Sequence, residues 1–287
     1  VTNRARMGSL QIVKTNDTPD SVGNYFGVPG AKFSVYQGGE AVSDQLVQAE
    51  VSTGTDGQTV LNGLLAGEYL VVETQAPVGY DLAEVTSQTV TVVEDGTAVA
   101  TFRNAASDAH AALTVQKSLE NAVRDAELLG RDFGFTLRKV GDEGFAPITG
   151  DFSTANSYYN GNVTLPVGRY VISEDAPETG ADWSRVSLSS NLTDLDDDPL
   201  TITFEVTAEN NTALRSIVVT AVNRMTEGQL RINKQDGDNN NAPLDGATFE
   251  VVKLVGGQPL ESSRQTGIAT TDGTVLLSGL TVGRYRV

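Results

Sequence analysis

Apolar and polar residues alternate with period two along most of this chain. Leu10, Ile12 and Lys14 share one parity, as do Leu113, Val115 and Lys117, and again Leu230, Ile232 and Lys234. Successive side chains on a strand point to opposite faces, so these runs predict half-buried β-strands. Turn dipeptides fall between such runs at Asp56-Gly57, Asp95-Gly96, Asn160-Gly161 and Asp272-Gly273, which read as hairpin turns. A helical period is hard to find: residues 120–129 are expected to form a turn or two at most.

The strands recur in a fixed order, three times over. The opening runs are Gly8-Ser-Leu-Gln-Ile-Val-Lys14, Ala111-Ala-Leu-Thr-Val-Gln-Lys117 and Gly228-Gln-Leu-Arg-Ile-Asn-Lys234. A second block reads Gly30-Ala-Lys-Phe-Ser-Val35 and Gly246-Ala-Thr-Phe-Glu-Val251, with 131–137 a looser version. A third carries Gly-Glu-Tyr at 67–69 and Gly-Arg-Tyr at 168–170 and 283–285, leading to Glu73 and Glu174 in the first two copies. Closing strands end at Asn104 and Asn223, and the first residues, Val1-Thr-Asn-Arg4, match that strand as well. The expected organisation is a closing strand of a preceding module at 1–6, complete modules at 7–105 and 111–225 joined by a linker at 106–110, and an incomplete third module at 226–287.

Composition narrows the function classes. A formal charge of −17, with the basic residues scattered, argues against nucleic acid or an anionic membrane as partner. Cysteine is absent, which removes disulfides, thiolate metal sites and cysteine nucleophiles together. A single histidine, His110, in the expected linker, leaves no histidine-based catalysis or paired-histidine metal site. No apolar stretch reaches the length of a membrane span.

The parity that places Leu10 and Ile12 in a core places Lys14 there too. Tyr69, Val71 and Glu73 share a face, as do Tyr170, Ile172 and Glu174; Phe102 joins Asn104, and Ile217, Val219 and Ala221 join Asn223. Each complete repeat thus aims a Lys, a Glu and an Asn at its own core. Fraying strand ends explain one such residue, but not three types in two repeats. Burial disfavours charge, lowering a Lys pKa and raising a Glu pKa. The outcome is a neutral amine nucleophile beside a carboxylic acid, with a carboxamide as electrophile. Fixed geometry in a dry site supplies roughly 7–11 kcal/mol of such a barrier. Protonation of the carboxamide oxygen by Glu favours attack, ammonia leaves, and an amide joins two strands.

Lys near the start, the run from Tyr69 to Tyr80 (Tyr-Leu-Val-Val-Glu-Thr-Gln-Ala-Pro-Val-Gly-Tyr), and Asn at the end resemble the CnaB/SpaA-type (prealbumin-like) modules of Gram-positive adhesins and pilins. The resemblance implies an all-β chain of tandem inverse Ig-like β-sandwiches, each closed by a Lys–Asn isopeptide bond. Carried over residue by residue, it pairs Lys14 with Asn104, Glu73 serving as proton shuttle, and Lys117 with Asn223, Glu174 serving likewise. The second repeat departs from the motif, reading Ser173-Glu-Asp-Ala-Pro177 without the Gly-Tyr, so that Asp175 is a rival acid that parity disfavours. Lys234 is expected to be unpaired, because its acid and closing strand would lie past Val287, and Asn3 to belong to a module upstream. The implied function is a non-enzymatic stalk or pilin-like segment of an extracellular, wall-anchored surface protein that presents an adhesive tip. Sortase attachment to the cell wall, and any host or matrix partner, would reside elsewhere in the full-length chain. A ligand-binding adhesin module is the alternative; an enzyme accessory domain has less support. No cofactor or metal is expected.

Four further signals have simpler explanations. The acidic run 194–198 followed by Glu205 has Ca²⁺-loop spacing, but Pro199 occupies the place of the required Gly. Residues 236–241 read as a polar loop. Trp183 reads as a packing residue, and Leu165-Pro-Val-Gly168 as core.

Overall fold

The computed structural model describes residues 5–287, so Asn3 and most of the expected strand at 1–6 lie outside the described residues. The chain divides into two compact units: Val1–Ala111 with Val163–Gly168 and Glu205–Arg215, and Ala112–Asn162 with Arg169–Phe204 and Ser216–Val287. The architecture is all-β, with 3-10 turns at Ser43–Gln45, Ala126–Leu128 and Glu261–Ser263.

The first repeat contains β1 (Met7–Asn16), β2 (Lys32–Gln37), β3 (Leu46–Ser52), β4 (Gln58–Leu65), β5 (Gly67–Gln75), β6 (Ser87–Val92) and β7 (Thr97–Asn104). These form two sheets, ordered β4-β1-β7 and β3-β2-β5-β6. β1 is the central strand of the smaller sheet, antiparallel to β4 and parallel to β7. A parallel first and last strand requires the whole module as its crossover, which brings the two ends of the sequence motif side by side. Alternate residues of both sheets face inward, and Leu10, Ile12, Phe33, Tyr69, Val71 and Phe102 make up much of the core.

The expected hairpins at the turn dipeptides are corrected. Asp56-Gly57 and Asp95-Gly96 reverse the chain through left-handed residues, Gly57 at φ +76° and Asp95 at φ +53°. Yet β3 and β4 belong to different sheets, as do β6 and β7. Both turns hand the chain across the sandwich because β1, formed earlier in the sequence, takes β4 and β7 as its two neighbours. Asp272-Gly273 does the same between strands Gln265–Ala269 and Thr274–Thr281. Asn160-Gly161 is no turn at all; both residues lie inside a strand.

The second repeat contains β8 (Ala109–Leu119), β9 (Phe133–Lys139), β10 (Ile148–Phe152), β11 (Tyr158–Leu165), β12 (Gly168–Glu174), β13 (Trp183–Ser190), β14 (Thr201–Val206) and β15 (Ser216–Met225). Its sheets are ordered β10-β9-β12-β14 and β11-β8-β15-β13, and β8 again lies parallel to β15. β8 starts inside the expected linker, so His110 is an exposed strand residue rather than a linker residue. In the third repeat β16 (Glu227–Asn233) pairs with Thr274–Thr281, while Thr248–Val255 pairs with Gln265–Ala269 and Arg284–Arg286. Residues 120–129 contribute the short turn Ala126–Leu128, as expected.

Candidate functional site: two buried Lys–Glu–Asn triads

In the first repeat Lys14 comes from β1, Asn104 from β7 and Glu73 from β5 in the opposite sheet. Lys14 registers with Phe102, so Asn104 is two residues further along the neighbouring strand on the same face. Glu73 registers with Phe33 and enters the core from the other side. All three are buried, at 0%, 2% and 1% exposure for Lys14, Glu73 and Asn104. Asn104 Nδ2 donates to Glu73 Oε1 at 2.8 Å, and Lys14 Nζ lies 3.8 Å from the same oxygen. Glu73 Oε2 and Asn104 Oδ1 are buried without a hydrogen-bond partner. Orphaned polar atoms in a core are rare and costly, and here two of them share one site.

The end of β1 is held from below. Lys14 N donates to Gly57 O at 2.8 Å, and Val28 N donates to Lys14 O at 2.9 Å. Gly57 sits so close that a Cβ on it would lie 2.4 Å from Lys14 O. The turn that crosses the sandwich therefore also fixes the backbone of the lysine.

The second repeat reproduces this arrangement. Lys117 registers with Ala221, two residues before Asn223, and Glu174 registers with Phe135. Lys117 Nζ lies 2.7 Å from Glu174 Oε1, and Asn223 Nδ2 donates to that oxygen at 2.9 Å. Glu174 Oε2 and Asn223 Oδ1 are again buried and unpartnered. The rival acid Asp175 is exposed and accepts a hydrogen bond from Thr136 Oγ1 at 3.1 Å. Two neighbours of this site were not anticipated in that role. Phe133 stands under the Lys117 ammonium at 4.0 Å, with Trp183 packed edge-on against it at 4.9 Å between centroids. Arg185 Nη1 donates to Glu174 O at 2.8 Å. The Phe133 signal lay in its parity with Phe135 and Leu137; Arg185 sits beside an irregularity in β13 that parity does not reveal.

Burial sets the protonation chemistry. It pushes the Lys14 amine from its ordinary 10.5 down to about 8, against the raising pull of Glu73 and Asp17. Lys117 is likewise pushed down to about 8 by burial, with Glu174 opposing. Burial pushes the Glu73 and Glu174 carboxyls up, and their Lys and Asn partners pull them back. Each pair is thus brought toward the neutral amine and neutral acid.

Elsewhere, Lys234 sits half-buried just past β16, its N–H donating to Gly273 O at 2.7 Å in the manner of Lys14 on Gly57. Asp194 Oδ1 accepts Asp196 N at 3.2 Å and Thr203 N at 2.9 Å, so the acidic run closes its own turn. Among the described residues no group of three His, Asp or Glu side chains could hold a metal ion, and no helix is long and apolar enough to cross a membrane.

Repeated β-sandwiches, each of the first two with its first and last strands parallel neighbours, define a tandem all-β repeat protein. The chain belongs to the SpaA prealbumin-like fold domain family, whose model matches residues 8–106 and 228–287, together more than half of its length. Among curated proteins no sequence matches. Several solved structures are similar. The Bacillus anthracis TIE protein is 22% identical at a TM-score of 0.42, the match covering 98% of this chain and 44% of that one. A streptococcal ancillary pilin is 16% identical at a TM-score of 0.32, covering 78% of this chain and 64% of that one. BcpA, the major pilin subunit of Bacillus cereus, is 14% identical at 0.34, covering 98% and 87%. This chain spans less than half of the TIE protein and less than two thirds of the ancillary pilin.

Proposed function

We propose that this chain is a load-bearing segment of a Gram-positive surface stalk or pilin-like fibre whose modules at 7–105 and 111–225 cross-link themselves, the third repeat at 226–287 forming no such bond. Lys14 bonds to Asn104 and Lys117 to Asn223, with Glu73 and Glu174 as proton shuttles. The reading places the segment outside the cell, in a protein attached to the wall by sortase, with the adhesive tip and its host or matrix partner in other parts of that protein. Lys234 and Asn3 take no part in a bond within residues 1–287.

One observation carries the reading: a single carboxylate oxygen in each module faces both the amine that must lose a proton and the amide nitrogen that must gain one. The neutral Lys Nζ attacks Asn Cγ while the acid form of Glu gives its proton to the carboxamide oxygen and becomes a carboxylate. That carboxylate takes a proton from the attacking nitrogen and passes it to Asn Nδ2. The Cγ–Nδ2 bond breaks, ammonia leaves, and Glu takes back the proton from the oxygen as the carbonyl re-forms, regaining its acid form. The unpartnered Asn oxygen and second Glu oxygen are the groups this exchange would engage.

Intact-mass measurement tests it. The parent should lack two ammonia per chain, Glu73→Gln and Glu174→Gln one each, and the double variant none. A parent of full unmodified mass would end the proposal.

A further inference from the structure

Among the described residues of the third repeat, Lys253 is the charged side chain that is buried, at 2% exposure. It lies in the strand Thr248–Val255, opposite Tyr285 of the Gly-x-Tyr run. The same register position is held by Gln37 opposite Tyr69 in the first repeat and by Lys139 opposite Tyr170 in the second. Neither of those is closed over: Gln37 is exposed, and Lys139 is half-buried and reaches Asp142 three residues away at 3.2 Å. The fold of the repeat does not by itself bury this position.

What closes over Lys253 is the 121–128 turn of the second repeat. Lys253 Nζ pairs with the Glu127 carboxylate and donates to Thr281 Oγ1 and Val282 O, both at 2.8 Å. Three partners fill the three donors of an ammonium, and two of them belong to its own repeat. The turn that offers Glu127 is rigidly mounted. Asp125, fully buried, accepts Met225 N at 3.1 Å, Asn121 N at 3.0 Å and Arg124 Nε at 2.7 Å. Leu128 is buried, and Arg131 Nε donates to Glu127 O at 2.9 Å.

A second pair runs the other way: Arg124 Nη1 from the turn meets Glu227 Oε1 of β16 at 2.9 Å. Only Thr226 separates β15 from β16. Its N–H donates to Asp182 O and its C=O accepts from Val282 N, each at 2.8 Å. The second repeat thus contributes an acid and a base, and the third repeat the matching base and acid. Crossed charges of this kind penalise any shifted seating, because a shift brings like charges together.

We propose that the 121–128 turn of the second repeat is a docking element that seats the third repeat through this crossed pair, so that the Thr248–Val255 strand depends on Glu127 for its stability. The partner it fits is a following repeat with a basic residue at the register position of Lys253 and an acidic residue at the start of its opening strand.

Hydrogen exchange on residues 1–287, followed by mass spectrometry of peptides, reads the dependence directly. Glu127→Lys should accelerate exchange across 248–255 on the order of tenfold, less than for a fully buried pair because the Glu127 side chain is 23% exposed, and leave 216–225 unchanged. Lys253→Glu should do the same alone. The two reversals together should recover part of the lost protection, since the pair is restored with its charges exchanged while a carboxylate at 253 cannot donate to Val282 O. Glu127→Gln, which keeps the shape of the turn, should give a smaller acceleration at the same peptides. Parent-like exchange in both Glu127 variants, or a double reversal no slower than Glu127→Lys, overturns the proposal. So does Glu127→Gln with unchanged protection, even where the reversal disturbs the second repeat.

Discussion

Lys14, Glu73 and Asn104 stand out in the sequence because a polar residue on an apolar parity is an anomaly that burial must resolve. The same holds for Lys117, Glu174 and Asn223, and parity further separates Glu174 from Asp175. Lys253 shares its parity with Phe249 and Val251, but its counterpart Gln37 is exposed, and parity does not reveal the Glu127 carboxylate that meets it from a different repeat. Asp125 escaped notice for a related reason: its role is to cap main-chain N–H groups across a turn, which leaves no periodic trace. The triad itself predicts a pH profile. In Asn104→Ala, which cannot form the bond, Lys14 stays an amine with a pKa near 8 in the folded protein against 10.5 unfolded. Between those values the unfolded state binds more protons, so stability should rise as pH climbs from about 8 toward 10.5. Glu73 acts oppositely: its raised pKa contributes stability that is whole below the ordinary 4.5 and is lost as pH rises through the folded value. The melting temperature of Asn104→Ala should therefore pass through a minimum between the two windows. Thermal melts across that range check it, and a flat profile contradicts the burial argument.

Strands and their inward faces were legible because both follow from period two. Sheet membership was not. An Asp-Gly dipeptide fixes where the chain reverses, through left-handed backbone, but the partner of the next strand depends on which edge is still unpaired. β1 offers two edges, and β4 and β7 take them. Asn160-Gly161 shows the converse, a turn-forming dipeptide held extended within β11. Gly57 joins both themes, as a crossing turn and as a support for Lys14. Gly57→Ala places a side chain at φ +76° and 2.4 Å from Lys14 O. The backbone term alone is roughly 1–2 kcal/mol. The variant should melt lower than the parent and lose ammonia from the first module more slowly when newly made chains first fold. Wild-type kinetics in intact-mass time courses would separate the turn from the chemistry.

At the scale of the molecule, the first and last strands of each complete repeat lie side by side and parallel. A Lys14–Asn104 bond would close a loop of about 90 residues, worth roughly 4–5 kcal/mol in a chain-entropy account. Lys14→Ala should melt lower, be cut faster by proteases, and unfold under a pulling force that leaves the parent intact. Single-molecule stretching of the first module is the comparison, and equal extension of the two proteins would remove the mechanical role even with the bond present. The parallel pairing has a consequence for elasticity. A sandwich without the cross-link holds in reserve the chain between β1 and β7, on the order of 300 Å at 3.3–3.6 Å per residue. Under overload it would spin out that slack and dissipate energy as heat. With Lys14 joined to Asn104 the reserve is sealed off, and the module has no give. A module closed in this way would behave as a rope rather than a spring: shear applied to its ends would pass through it undamped, and any compliance would have to come from outside the sealed loop.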